Sequence, residues 1–208
     1  MASEVSICNR ALSRVGAKTI SAFTDASAEA RECSLHYPLE RDDLLAGFPW
    51  VFARQRTALA EVTNDRSDQW SYAYQMPTGL LNIEWVNDPD LALALIRLRR
   101  PPSCKYELAG STLYANVEDA WIEFTKETTD PNLFPVHFST ALSFKVAEAI
   151  CLQLTQQDRR MAATERKAEI EVSKAMALDA DLEPHHLPDL PNSYTLGRVV
   201  GENYAGDE

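Results

Sequence analysis

Apolar residues recur at Val5, Cys8, Leu12 and Val15, behind Ser3 and ahead of Gly16. The spacing i, i+3, i+7, i+10 is one face of an amphipathic helix, with a capping serine at its start and a glycine at its end, and predicts a helix over 3–16. A second face, Ala30, Cys33, Tyr37, Leu44 and Phe48, follows Asp25 as N-cap and predicts a helix over 26–48 that Gly47 and Pro49 close. Pro38 falls inside it. A proline there removes a backbone donor and clashes with the preceding turn, so a kink near Leu35–Leu39, or two shorter helices, is expected.

From Trp50 the pattern changes to short segments bounded by Pro, Gly, Asn or Asp: Arg54–Ala60, Trp70–Gln75, Leu80–Val86, Ile96–Leu98, Lys105–Leu108, Thr112–Tyr114 and Trp121–Thr125. These predict a small antiparallel sheet, a β-rich insertion over about 54–130. Gly110 is placed to supply the positive φ of a hairpin turn between Leu108 and Leu113. Trp70, Tyr72 and Tyr74 give one strand an aromatic face, suited to a sheet core or to an interface. Leu91–Leu98 is open between helix and strand.

Helical spacing returns after Pro135, with Phe138, Leu142, Val146, Ala149 and Ile150 on one face of a helix over 135–157. Residues 159–180, rich in Ala, Glu, Lys and Arg and capped by Asp158, predict a further helix from intrinsic propensity. Beyond it, DLEPHHLPDLPNSYTLGRVVGENYAGDE has three prolines and few core candidates, which predicts an extended arm over 181–208. The fold class is α+β. About four helices from the two chain ends form a bundle, a small antiparallel sheet is inserted between them, and residues 1–180 make one domain ahead of the C-terminal arm.

Composition narrows the function. The 208 residues are 45% hydrophobic, enough for a sizeable core, and carry a net charge of −11. Residues 1–60 hold 7 Lys/Arg against 7 Asp/Glu, residues 61–134 hold 6 against 12, and residues 135–208 hold 7 against 12, so no basic domain hides inside the acidic average. That argues against a conventional DNA or RNA binder, which neutralises phosphates with Lys and Arg, but not against the lining of a passage through which DNA slides. No apolar run reaches the length of a membrane span and the N-terminus lacks a signal-peptide pattern, so no membrane partner is expected. Cys8, Cys33, Cys104 and Cys151 form no CxxC pair and read as buried thiols.

Catalytic constellations are weak. GxGxxG, P-loop, GxSxG and HExxH motifs are absent from the sequence. Asp42-Asp43 are adjacent on a helix and point about 100° apart, so at least one faces water. Glu118, Asp119 and Glu123 alternate with Trp121 and Phe124 as on a half-exposed strand. Cys33 and His36 are one helical turn apart, read as a buried thiol beside a surface imidazole. His185-His186, between prolines, is two ligands short of a metal site. Neither cofactor nor metal is expected, nor enzymatic activity. Arg54 and Arg56, and the island Arg97, Arg99 and Arg100, are either solvated strand faces or inter-subunit cations for the acidic surface of a neighbouring copy.

Several segments taken in order, ICNRALSRVGAKTISAFTDASAEARECSLHYPLERDDLLAGFPWVFARQRTALA, YAYQMPTGLLNIEWV, YELAGSTLYAN and FTKETTDPNLFPVHFSTALSFKVAEAICLQLT, resemble the head-to-tail adaptor family of short-tailed bacteriophages, also called tail tubular protein A or head-tail connector proteins. The similarity spans roughly residues 5–180. Asn9-Arg10-Ala11-Leu12 and Gly16 match the first helix, and Ala30-Arg31 and Tyr37 the second. Pro49-Trp50 with Phe52-Ala53 matches the second helix's exit. Tyr74-Gln75-Met76-Pro77 matches a strand and turn, Gly110 the hairpin, and Asp130-Pro131 with Phe134 the lead-in to the third helix. Pro38 and Leu91–Leu98 depart from the pattern, and PNSYTLGR matches the family's tail only loosely.

The resemblance implies a structural virion protein at the head–tail junction, made in the host cytoplasm. It implies a ring, usually dodecameric, beneath the portal, which extends the DNA channel without sequence-specific DNA binding and offers a platform to the tail nozzle or another distal tail protein. It directs the C-terminal helix and arm to the portal, with His185, His186, Tyr194, Leu196 and Arg198 as the expected contacts, and the sheet region to the distal partner. The alternatives are a head-completion or neck protein of a long-tailed phage and a carboxylate-dependent hydrolase.

Overall fold

In the computed structural model, which describes residues 3–87, 104–156 and 158–182, the first helix, α1 (Glu4–Val15), is closed at both ends by its own sequence. Ser3 and Ser6 form a reciprocal capping box, the Ser6 amide donating to Ser3 Oγ at 3.1 Å and the Ser3 amide to Ser6 Oγ at 2.9 Å. Gly16 terminates the helix at φ 74°, a left-handed conformation that a side chain would strain. Asn9 then fixes the following link: its amide donates to the Ile20 carbonyl at 2.9 Å and its carbonyl oxygen accepts the Ile20 amide at 2.8 Å.

Helix α2 (Ala28–Ala46) is capped by Ser27, whose Oγ accepts the Ala30 amide at 3.1 Å. Asp25, the cap expected from sequence, is spent one step earlier, accepting the Ser21 and Ala22 amides at 2.7 and 3.2 Å. Pro38 does not divide the helix. It sits inside one continuous α2, because the lost backbone bond is local whereas the buried positions Ala30, Cys33, Tyr37, Arg41, Leu44 and Leu45 anchor both halves to the same core.

Helix α3 (Val136–Thr155) is the centre of the bundle, packed against α1, α2 and α4 (Asp158–Ala180). Its sequence fits that place: Phe138, Ala141, Leu142, Val146, Ala147, Ile150 and Cys151 are buried, so apolar positions spread beyond a single stripe. The bundle core joins these to Ile7, Leu12, Tyr37, Leu45 and Trp50.

The β-rich insertion forms two antiparallel sheets, where one was expected. The strands are β1 (Arg54–Ala58), β2 (Ala60–Val62), β3 (Tyr72–Gln75), β4 (Leu80–Asn87), β5 (Tyr106–Ala109), β6 (Thr112–Ala115) and β7 (Trp121–Lys126). One sheet has the order β1-β7-β4 and the other β2-β3-β6-β5. The split comes at Leu59, where the chain passes between sheets and its amide donates to the Ala120 carbonyl at 2.9 Å. A second core, Tyr74, Val86, Leu113, Ala115, Ala120, Ile122 and Phe124, draws on both sheets. The β5–β6 hairpin pairs Leu108 with Leu113 and Ala109 with Thr112 around Gly110 at φ 59°. The stretch Leu91–Leu98, the strand expected at Ile96–Leu98 and the arm beyond Leu182 lie outside the described residues.

Candidate interaction surfaces

The segments that leave α2 and lead into α3 converge on one aromatic cluster. Trp50 meets Phe138 edge to face at 4.9 Å, and Phe52 lies 4.9 Å from Phe138 and 5.8 Å from Phe134. The Trp50 indole N–H donates to the Leu44 carbonyl at 2.7 Å, so the ring is buried without an orphan donor. Asp179, wholly buried near the end of α4, accepts the Val51 amide at 2.8 Å and pairs with His137 at 3.1 Å. The last turn of α4 is thereby clasped to the segment that leaves α2.

The outer face of the three-stranded sheet carries a paired ionic layer. Arg54 contacts Glu84 at 2.9 Å and Glu123 at 3.3 Å, and Arg56 contacts Glu123 at 2.9 Å. The β4–β7 register shifts between Ile83 and Trp85, and the residue at the shift is Glu84, the partner of Arg54. The Arg56 guanidinium stacks 4.0 Å above Trp121, which itself lies 5.1 Å from Trp85. Arg54 also donates to the Pro49 carbonyl at 3.1 Å, tying this sheet to the bundle.

A cleft between α1, α3 and α4 is built differently. It is lined by Arg14, Phe144, Thr164, Lys167, Ile170, Glu171 and Lys174, among others, and a shallow depression beside it shares Arg14 with Asn9 and Arg10. The Arg14 guanidinium lies 3.8 Å over the Phe144 ring and donates to Ser143 Oγ at 2.6 Å, while Arg10 donates to Thr140 Oγ1 at 2.9 Å. These contacts orient both arginines without neutralising them. Burial first, and then the Arg10 charge, push the Arg14 guanidinium below its usual range, and Glu171 only partly offsets this. Glu171 is itself held by Lys174 at 2.6 Å. Among the described residues, Arg10, Arg14 and Lys167 have no ion-pair partner.

On the four-stranded sheet, Glu61 of β2 pairs in register with Tyr74, and the β6–β7 turn carries Glu118 and Asp119. All three carboxylates are exposed and act on Tyr72, whose hydroxyl is pushed above its usual range, chiefly by Glu118. Asp119 stands at φ 52°, in a turn and not on the strand expected of it, and Glu123 is buried in β7 where a half-exposed position was expected. Ion pairing with Arg54 and Arg56 explains that burial.

The other sequence candidates separate as follows. Asp43 is exposed and Asp42 accepts from Arg41 at 2.8 Å, so the two do not face one another across a site. Cys33 is buried against Cys8 of α1, whose thiol is pushed well up by its hydrogen bond to Cys33 and by burial, while His36 pairs with Glu32 at 3.6 Å. Tyr74 enters the sheet core, Tyr72 stacks beside it at 6.3 Å, and Trp70 donates to Glu107 at 3.2 Å. Arg97, Arg99, Arg100, His185, His186, Tyr194, Leu196 and Arg198 lie outside the described residues. Sequence reasoning missed the α1–α4 cleft, although Arg10 and Arg14 stand four apart with no acid three or four positions from either.

Among the described residues no helix is long and apolar enough to cross a membrane, and no group of three or more His, Cys, Asp or Glu is placed to hold a metal ion. No protein-family model matches this sequence, and no curated protein matches it either.

Proposed function

We propose that this chain is a non-enzymatic head-to-tail adaptor of a tailed bacteriophage, assembled as a ring, twelvefold by the family resemblance, beneath the portal and carrying the tail below. The observation that supports the reading best is the division of the molecule into a helical bundle and a two-sheet insertion with separate hydrophobic cores. Two regions, each with its own core, suit a protein that must meet one partner above and another below. The motifs that carry the resemblance also belong together physically: Trp50 and Phe52 pack on Phe134 and Phe138, and Asn9 braces the link after α1. An acidic chain of net charge −11 repels DNA phosphates and favours their passage over their capture.

On this reading the arm reaches the portal and the sheets face the distal tail protein. Deletion of Asp181–Glu208 is the test. The truncated chain keeps its helical circular dichroism, since the bundle core ends within α4, and loses co-sedimentation with the cognate portal ring. Undiminished portal binding by the truncated chain contradicts the assignment.

A further inference from the structure

We propose that the α1–α4 cleft of one copy receives the Glu61, Glu118 and Asp119 carboxylates of a second copy, a head-to-tail contact between the bundle of one subunit and the four-stranded sheet of the next. The inference rests on the ring reading above and names the surfaces that would close it.

Three observations carry it. Within the described residues, the arginines of the sheet region are satisfied by its own acids: Arg54 by Glu84 and Glu123, Arg56 by Glu123, and Arg66 by Glu107. Arg10, Arg14 and Lys167 are not, and Arg14 is held in place by Phe144 and Ser143 with its charge left over. A fixed guanidinium has already lost the side-chain freedom that a surface ion pair otherwise costs.

The occupant follows from charge. Each copy also carries an acidic patch elsewhere: Glu61 lies opposite Tyr74, which stacks on Tyr72, and Glu118 and Asp119 follow in the turn after β6, the strand paired with β3; all three are exposed and have no ion-pair partner among the described residues. Two complementary patches in different parts of one chain make a heterologous contact, the kind that propagates from copy to copy and closes into a ring when its rotation permits. DNA phosphate is the competing anion, and the overall charge of −11 works against it.

Charge exchange tests this in the full-length protein. Sedimentation equilibrium at low ionic strength, from micromolar to near-millimolar concentration, measures wild-type self-association. Arg14→Glu alone and the pair Glu118→Lys with Asp119→Lys alone each weaken it by about tenfold or more. Mixing the two variants restores it, because the reversed cleft of one now meets the reversed patch of the other. Lys167→Glu, at an exposed position, repeats the cleft variant where Arg14→Glu fails to retain wild-type circular dichroism.

Wild-type association that is indifferent to every reversal overturns the contact and leaves the ring reading standing. So does loss on reversal without rescue by mixing. No wild-type association at any concentration, alone or on the portal, overturns both. Retarded migration of a DNA duplex that Arg14→Glu abolishes assigns the cleft to phosphate and overturns the proposal.

Discussion

The ionic layer of the three-stranded sheet and the α1–α4 cleft both put arginine on aromatic rings, yet they spend the charge in opposite ways. Arg56 lies over Trp121 and forms an ion pair with Glu123, whereas Arg14 lies over Phe144, donates to a serine hydroxyl and has only the partial, unpaired influence of Glu171. Glu84 and Glu123 have side chains only 3% and 9% exposed, so the sheet cations are what make those buried acids tolerable. In the cleft, Arg14 and Lys167 have no ion-pair partner among the described residues. Substitution should therefore destabilise the fold in the first region and change association in the second.

The largest effect is expected at Glu123. Glu123→Ala strips Arg54 and Arg56 of a shared partner and lowers unfolding free energy by about 2–4 kcal/mol, at the lower side of the usual range because Arg56 stays open to water. Urea denaturation followed by circular dichroism reads this, and an unchanged midpoint would remove the distinction between the regions. Asp179→Ala comes next. It orphans the Val51 amide and the His137 contact and costs about 1–3 kcal/mol by the same measurement.

Lys167→Glu is the converse case, with stability unchanged within about 0.5 kcal/mol and weaker self-association in the analytical ultracentrifuge. The smallest effect is set by pH. The Tyr114 hydroxyl donates to Asp65 at 2.6 Å and holds its carboxyl below the usual range. A carboxyl lowered on folding contributes stability that is complete above the ordinary aspartate pKa of about 3.9 and fades as pH falls through the lowered value. Asp65→Asn should therefore flatten the acid limb of a thermal-melt series slightly, and an identical limb in both proteins would discount the bond.

Much of the fold was legible because local signals agreed with packing. Ser3 and Gly16 bracket α1, the Leu108–Leu113 hairpin forms around Gly110, and Phe138, Leu142, Val146 and Ile150 face the core, although Ala149, expected on the same face, is only half-buried. The errors are tertiary. Pro38 is a strong local breaker, and of the two expected outcomes the division into two helices does not occur, because a helix anchored on both sides by Cys33, Tyr37, Leu44 and Leu45 tolerates one missing bond. Asp25 is a good cap by residue type, and only the turn that engages it reveals Ser27 as the working cap. Glu123 reads as exposed until β1 brings two arginines to it across the sheet. The cleft was hidden for a related reason. Its cations come from α1 and α4, far apart in sequence, and only the absence of acids around Arg10 and Arg14 hinted that their charge was reserved.

The adaptor reading is tested most directly by the mass of the full-length chain in native mass spectrometry, alone and with the cognate portal ring. Alone, at low micromolar concentration, a monomer or weak oligomer is expected. With the portal, a jump is expected to one closed oligomer with a fixed number of adaptor copies on each portal ring. A portal ring whose mass stays unchanged in the presence of excess chain would contradict it.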